Sequence, residues 1–170
     1  MADAVQTTFG DPIVTGLLGE ASDSQTIRDG KEESLLATVA VPFGRAVCSA
    51  ASAPNSCYLP TNATDAGRIR GVAMADRTKA SGAGYAALDQ IRVLKTHRIN
   101  VYFENSIEDL AKPYVRITES TTGAADQGQF RGDSDSGKCV QMTNAIAIAR
   151  NGVTTTGIGV IELDLLGKIG

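Results

Sequence analysis

Residues 91–104 read IRVLKTHRINVYFE, and this stretch decides the fold class. Ile99, Val101 and Phe103 alternate with more polar neighbours, which is the period-two pattern of a half-buried β-strand. A second apolar run, residues 91–94, comes shortly before it. The economical interpretation is an antiparallel hairpin whose two strands are joined by a short loop.

Similar runs recur along the chain and predict a mainly β protein. The further predicted strands are 35–41, 45–50, 68–75, 114–119, 144–150 and 157–166, the first with Leu35, Ala37, Val39 and Val41 on one face. Gly71 predicts a bulge, because glycine relaxes the pleat where side chains change face. Residues 106–112 predict one short helix, with Ser106 as N-cap, acidic residues in the first turn and Pro113 as a stop.

Length and composition limit the class of protein. A chain of 170 residues and 17.7 kDa matches one domain. Its eight aromatic residues include no Trp, so the core must be mainly aliphatic. This counts against lectins and single-strand nucleic-acid platforms, which rely on stacked rings. The expected fold is a single compact antiparallel β-barrel or sandwich-like domain.

Charge divides the chain into two parts. Residues 1–34 carry seven acidic and two basic residues, a net −5, whereas residues 35–170 carry 12 acidic and 14 basic residues, a net +2. The first part is too polar and Gly-rich for a core of its own. We therefore predict an extended acidic N-terminal arm over 1–34 and a β-rich domain over 35–170, with a solvated tail as the alternative for the arm.

Three connections, 51–66, 76–89 and 120–137, are rich in Gly, Ser, Thr and Asn. They are longer than the usual connection of about five residues. Long loops on a β scaffold usually carry contacts to partners, so we expect contact surfaces there.

Few residues suggest a catalytic or metal-binding site. Three cysteines without a CxxC pair predict a reducing compartment and idle thiols, not a disulfide framework or a zinc site. His97 is the single histidine and falls in the predicted hairpin loop, which argues against a catalytic triad. No signal peptide and no membrane-length apolar run is evident. We expect no enzyme activity, cofactor, metal or membrane association.

The segment 132–139, GDSDSGKC, approaches a phosphate-binding loop. Cys139 replaces the hydroxyl that would ligate magnesium, and two aspartates stand where phosphates would lie, so a polar turn is favoured. The overlapping tripeptide Arg131-Gly132-Asp133 resembles an integrin-binding motif, but three residues match easily by chance.

The chain is richest in basic residues from 68 to 98. Arg68 and Arg70 would share the outer face of a strand while Ile69 points inward. A protein partner with acidic groups is favoured over nucleic acid, because one aromatic residue, Tyr85, interrupts the stretch and the net charge of the chain is −3.

Several short segments resemble, in order and spacing, the structural cement proteins of tailed bacteriophage capsids. The segments are Gly16-Leu17-Leu18-Gly19, Val41-Pro42-Phe43-Gly44-Arg45-Ala46-Val47, Leu59-Pro60, Arg70-Gly71-Val72-Ala73, Ile91-Arg92-Val93-Leu94 and Arg98-Ile99-Asn100-Val101. The resemblance covers about residues 15–118.

The resemblance implies a non-enzymatic virion protein on the outer surface of an icosahedral capsid, made in the host cytoplasm. It would bridge neighbouring major capsid subunits and stabilise the head. Because self-association at a symmetry axis multiplies modest contacts into strong attachment, we also expect a homo-oligomer, a trimer in preference to a dimer. The arm and loops lead us to expect partner contacts at Phe9, Pro12, Leu17, Leu18, Ile27, Arg68, Arg70, Arg77, Tyr85, Phe130 and Arg131. The alternatives are a head fibre or receptor-binding ornament that uses the 120–137 loop, and a nucleic-acid-binding module.

Overall fold

A computed structural model describes residues 18–22, 30–76, 78, 84–118, 127–148, 153–154 and 156–166. Fifteen strands and two short 3-10 helices, Ala63–Arg68 and Asp135–Gly137, lie in this part of the chain. The strands are β1 (Glu32–Ala37), β2 (Val41–Pro42), β3 (Ala46–Ala50), β4 (Ala53–Tyr58), β5 (Ile69–Ala73), β6 (Gly84–Tyr85), β7 (Gln90–Leu94), β8 (Thr96–Phe103), β9 (Ile107–Glu108), β10 (Tyr114–Arg116), β11 (Phe130–Arg131), β12 (Cys139–Gln141), β13 (Ala145–Ile148), β14 (Val153–Thr154) and β15 (Gly157–Asp164).

Five strands close into a barrel in the order β1-β4-β3-β5-β7. Strand β1 closes it, pairing antiparallel with β7 on one side and parallel with β4 on the other. One apolar cluster fills the interior, formed by Leu35, Ala37, Val41, Phe43, Val47, Cys57, Leu59, Ala73, Tyr85, Ile91 and Val93. Because β1 begins at Glu32, the last three residues of the predicted arm already belong to the barrel wall.

A six-stranded sheet in the order β12-β10-β11-β8-β15-β13 packs against the barrel. Its long central strands β8 and β15 pair antiparallel along their whole length, from Thr96 opposite Asp164 to Phe103 opposite Gly157. Strand β11 joins the far end of β8 in parallel, so both sheets contain one parallel pairing within a mainly antiparallel fold.

The barrel wall that faces this sheet is buried on both sides. Val47, Ala73 and Val93 point into the barrel. Their chain neighbours point outward into a second core, which also contains the inner face of the sheet. The outward residues are Ala46, Val72 and Leu94, and the sheet contributes Ile99, Val101, Phe103 and Ile161 among others. Strands β3, β5 and β7 therefore serve two cores at once.

The predicted strands are found, with shifted ends. Gly71 lies at a register shift between β3 and β5, which confirms the predicted bulge. Val39, by contrast, is 42% exposed and does not share the buried face of Leu35, because β1 ends at Ala37. Strand β4 lies in the 51–66 connection, where no strand was predicted.

The predicted hairpin between residues 91–94 and 99–104 is wrong. Strand β7 pairs with β1 and β5 in the barrel, whereas β8 pairs with β15 and β11 in the other sheet. The chain passes from one sheet to the other at Lys95. His97 consequently lies within β8, half-buried, and not in a loop.

The predicted helix over 106–112 is also wrong. Ile107 is 3% exposed and pairs as part of β9 with β14. Leu110 has a φ of 61°, which a right-handed helix cannot contain. The amide of Ala111 donates to the Glu108 carbonyl at 3.2 Å, so the segment closes a tight turn. Among the described residues, helical turns lie instead at Ala63–Arg68, where Asn62 and Asp65 form a capping box, and at Asp135–Gly137.

Candidate functional site

Residues 18–22, called here the anchor segment, lie between the barrel and the six-stranded sheet. The amide of Gly19 donates to the Asn100 carbonyl on β8 at 2.8 Å, and the Gly19 carbonyl accepts from Ala75, just beyond β5, at 2.8 Å. The amide of Asn100 returns a bond to Glu20 at 2.9 Å. The anchor segment is thus hydrogen-bonded both to β8 and to the chain just beyond β5.

Gly19 is required at this crossing by geometry. Its φ is +77°, a conformation that side chains with a Cβ rarely adopt. A Cβ would lie 2.7 Å from the Ala75 nitrogen and 2.8 Å from the Ala73 oxygen, inside van der Waals contact with backbone that cannot move aside. The anchor segment therefore tolerates no larger residue at this position.

A basic surface lies on the barrel beside β5. Arg68, Arg70 and Lys95 contribute to the lining of a cavity of about 330 Å³. Glu33 of β1 neutralises part of this charge, accepting two hydrogen bonds from the Arg70 guanidinium and lying 3.4 Å from the Lys95 ammonium. Partial burial raises the pKa of Glu33, but the hydrogen bond from Arg70 and the charge of Lys95 outweigh it, so its pKa lies below the ordinary value.

Other cations of the 68–98 stretch are also paired. Arg92 lies 2.8 Å from Glu32, and Arg98 lies 2.8 Å from Glu162, both on exposed strand faces. One pair lies on the barrel and the other on the six-stranded sheet, so the described surface is not an unbroken positive field.

Five charged residues form an ion-pair cluster where β8, β10 and β11 end: Glu104, Arg116, Arg131, Asp133 and Asp135. The side chain of Arg116 is 2% exposed and donates two hydrogen bonds to Glu104. Its Nη2 also lies 2.9 Å from Asp135 Oδ2. The hydrogen bond from Arg116 is the main cause that lowers the pKa of Asp135 below its ordinary value.

The cluster explains what the motifs at 131–139 do. Arg131 donates to Asp133 at 3.0 and 3.1 Å and to Glu104 at 2.8 Å, so the charged groups of the Arg131-Gly132-Asp133 tripeptide bind each other and the body. Cys139 opens strand β12, where a phosphate-binding loop would open a helix. The residues of these motifs therefore hold the 131–139 loop against the body.

The predicted contact residues fall into three groups. Arg68, Arg70 and Arg131 lie at or near the surface as described, and Leu18 packs partly buried against the barrel core. Tyr85 and Phe130 are 3% and 0% exposed, so their side chains lie in the core and present no surface. Tyr85 stacks edge-on against Phe43, and its hydroxyl donates to the Met74 carbonyl at 2.9 Å. Phe9, Pro12, Leu17, Ile27 and Arg77 lie outside the described residues.

The thiols are chemically quiet. Burial raises the pKa of Cys48 to about 12 and those of Cys57 and Cys139 to about 11, so all three stay protonated at neutral pH. Within the described ranges, no group of three His, Cys, Asp or Glu side chains is placed to hold a metal ion.

Sequence comparison agrees with the resemblance seen in the sequence. Residues 5–165 match the family described as "Structural cement protein (E217 gp24/Pam3 gp6)" of phages. This chain belongs to the structural cement protein family. Membership indicates a structural role in the phage capsid.

The fold of this cement protein also has a solved counterpart. A chain of the structure titled "The capsid of Myoviridae Phage XM1" superposes with a TM-score of 0.68 over 96% of this chain and 97% of that chain. The two are 14% identical, so the likeness concerns the fold. No curated protein sequence matches the cement protein. Of the helices in the described ranges, none is long and apolar enough to span a membrane.

Sequence reasoning missed one class of surface residue in the cement protein. Large apolar side chains are exposed at Leu36, Val39, Leu88, Leu110, Ile158 and Leu166. Leu88 and Leu110 stand in tight turns with positive φ, and nothing in the local sequence marks such turns as needing leucine. For Leu88 the sequence did give a signal, because this residue lies in the 76–89 connection, which was predicted to carry contacts to partners.

Proposed function

We propose that this cement protein binds the outer surface of an icosahedral phage capsid, bridges neighbouring major capsid subunits and thereby stabilises the head. The anchor segment carries the proposal. It is hydrogen-bonded to β8 and to the chain just beyond β5, so an arm formed by the 17 residues before it would have a fixed point of attachment. Such an arm adds backbone hydrogen bonds on a neighbouring subunit while the body stays attached to its own.

The division of the chain fits this role. Residues 1–17 are the bridging element, and the body that sits on the shell includes the anchor segment and β1, which begins at Glu32. Self-association as a trimer, in preference to a dimer, places several arms around one axis and multiplies modest contacts into strong attachment. The protein is made in the host cytoplasm and ends on the outside of the virion.

The test is co-sedimentation with shells assembled from the major capsid protein. We expect intact protein to bind the shells and raise their thermal disruption temperature. Removal of residues 1–17 should keep the fold, because the anchor segment stays, and should abolish the rise in shell stability. Failure of the intact protein to bind would refute the capsid-surface role.

Two glycine substitutions test whether the anchor segment is needed for bridging. Gly19→Ala should detach the arm and reduce shell stabilisation as strongly as the deletion does, because the new Cβ meets the backbone of Ala73 and Ala75. Gly67→Ala is the matched control, because a Cβ there meets no atom within 4 Å. Equal shell stabilisation by the two variants would show that the anchor is not needed for bridging.

A further inference from the structure

The cavity beside β5 is lined by charge of one sign. Ten residues line it, and the three charged ones, Arg68, Arg70 and Lys95, are all cations. A concave surface of this kind concentrates its electric field on any group that enters it. We call it the basic cavity. Its charge selects for an anion.

One carboxylate of the chain already lies against two of these cations. Glu33, which is not part of the cavity lining, accepts hydrogen bonds from Nε and Nη2 of Arg70, and its Oε2 lies 3.4 Å from Nζ of Lys95. Three cations thus share one carboxylate, which leaves two positive charges in excess. The ion pairs on the exposed strand faces, by contrast, match one cation to one carboxylate.

The contact with Glu33 also shows which anion these cations suit. The two oxygens of a carboxylate match two parallel N–H groups of a guanidinium. Small and apolar residues complete much of the lining, among them Ala51, Pro54 and Leu165, and these can pack against the methylene groups of an acidic side chain. The volume of about 330 Å³ lies near the lower end of ligand sites, roughly 300 Å³, so the entering group must be small.

A nucleic acid suits the basic cavity less well. A duplex carries one negative charge per roughly 1.7 Å of its axis and is bound by an extended positive surface. Beyond the cavity, Glu32 neutralises Arg92 and Glu162 neutralises Arg98, so the excess of positive charge is local. A local excess favours one or two acidic side chains of a protein over a phosphate backbone.

We propose that the basic cavity binds aspartate or glutamate side chains of a protein partner on the shell. The inference rests on the proposed function and names the chemistry of one of its contacts. The partner's carboxylate enters beside Glu33 and binds the N–H groups that Glu33 leaves available on the three cations. Its stem lies against the apolar part of the lining.

A labelled hexaglutamate peptide tests the site, with hexaglutamine as the uncharged control and fluorescence anisotropy as the measurement. We expect hexaglutamate to bind and hexaglutamine not to bind. The double variant Arg68→Gln/Lys95→Gln should bind hexaglutamate about tenfold more weakly, because two of the three cations are lost. Arg92→Gln/Arg98→Gln is the matched control: it removes the same charge outside the cavity lining and should keep the wild-type affinity.

Glu33→Gln adds a gain of affinity, which misfolding cannot imitate. Loss of the Glu33 carboxylate releases N–H groups of Arg70 and Lys95 and removes its repulsion of an entering carboxylate. Hexaglutamate should then bind about threefold more tightly. Glu162→Gln changes the net charge equally at an exposed pair outside the cavity, and should not change the affinity. We expect the same order of variants for half-saturation of capsid shells.

Four results would overturn the inference and leave the capsid role intact, provided that wild-type protein binds the shells. The first is no binding of hexaglutamate. The second is an equal effect of each cavity variant and its matched control, because binding would then follow net charge alone. The third is tighter binding of a short oligothymidylate than of hexaglutamate through the same cations. The fourth is a lower sedimentation coefficient of the free Arg68→Gln/Lys95→Gln protein, which would place a second copy in the cavity. If wild-type protein binds hexaglutamate but no shells, the proposed function fails instead.

Discussion

The barrel interior and the ion-pair cluster at the end of β8 are stabilised by different forces. The interior is packed with aliphatic and aromatic side chains, and its shape depends on close backbone approach between paired strands. The cluster joins three strand ends and a loop through buried and half-buried charges around Arg116. Substitutions that change side-chain volume should therefore destabilise the barrel interior, and changes of charge or pH should destabilise the ion-pair cluster.

The largest effect is expected from Gly71→Ala in the barrel wall. A Cβ at Gly71 would lie 2.1 Å from the Leu94 oxygen and 2.7 Å from Val93 Cγ1, so β5 and β7 could not pair. We expect a loss of more than about 5 kcal/mol, comparable with the whole stability of a small domain. Urea unfolding followed by circular dichroism measures it, with Gly67→Ala as the variant that should unfold like the wild type. Native stability of the Gly71 variant would contradict the close approach.

The next effect is expected from Glu104→Gln in the cluster. It leaves the buried Arg116 guanidinium with Asp135 as its remaining charged partner in the cluster, and breaking a buried ion pair costs about 3–5 kcal/mol. Glu162→Gln is the control, because the exposed Arg98–Glu162 pair contributes less than about 1 kcal/mol. Equal urea midpoints for the two variants would mean that the cluster does not stabilise the fold.

The smallest effect is expected from Asp135→Asn, and it depends on pH. The pKa of Asp135 is lower in the folded protein than in the unfolded chain, where it is about 3.9. The contribution of its carboxylate to the free energy of unfolding is therefore fully present above the unfolded pKa and disappears as pH falls through the folded pKa. The wild type should be the more stable protein at pH 7, by about 1 kcal/mol or less, and the difference should vanish well below pH 4. Thermal unfolding from pH 2 to 7 measures it. A difference that grows on acidification would reverse the assigned role.

The strands were predictable from the sequence where one face is buried, and their partners were not. Alternation of apolar and polar residues located β8 and β15; burial alternates along β15, whereas in β8 the polar Asn100 is buried between Ile99 and Val101. Strand β4, APNSCY, is mostly exposed and carries few apolar residues, so its sequence predicted a loop. The false hairpin at Lys95 arose since adjacent strands usually pair, whereas here the chain leaves one sheet for another.

Predictions for the site were limited in the same physical way. The sequence indicated the family and the basic residues at 68 and 70. It could not indicate that Tyr85 and Phe130 are core residues, because loop aromatics look alike whether they face inward or outward. The role of Gly19 and the exposure of Leu88 depend on contacts with residues distant in sequence, Ala75 and Ala37, which no local pattern records.

The wall formed by β3, β5 and β7 makes the two cores thermodynamically inseparable. Each of these strands has one apolar face in the barrel and the other against the six-stranded sheet. Neither core can melt alone without exposing apolar side chains of the other, so partial unfolding brings no intermediate of low free energy. A load applied to one sheet is passed through this common wall to the other. The protein should accordingly unfold in one cooperative step, whether it is heated or pulled.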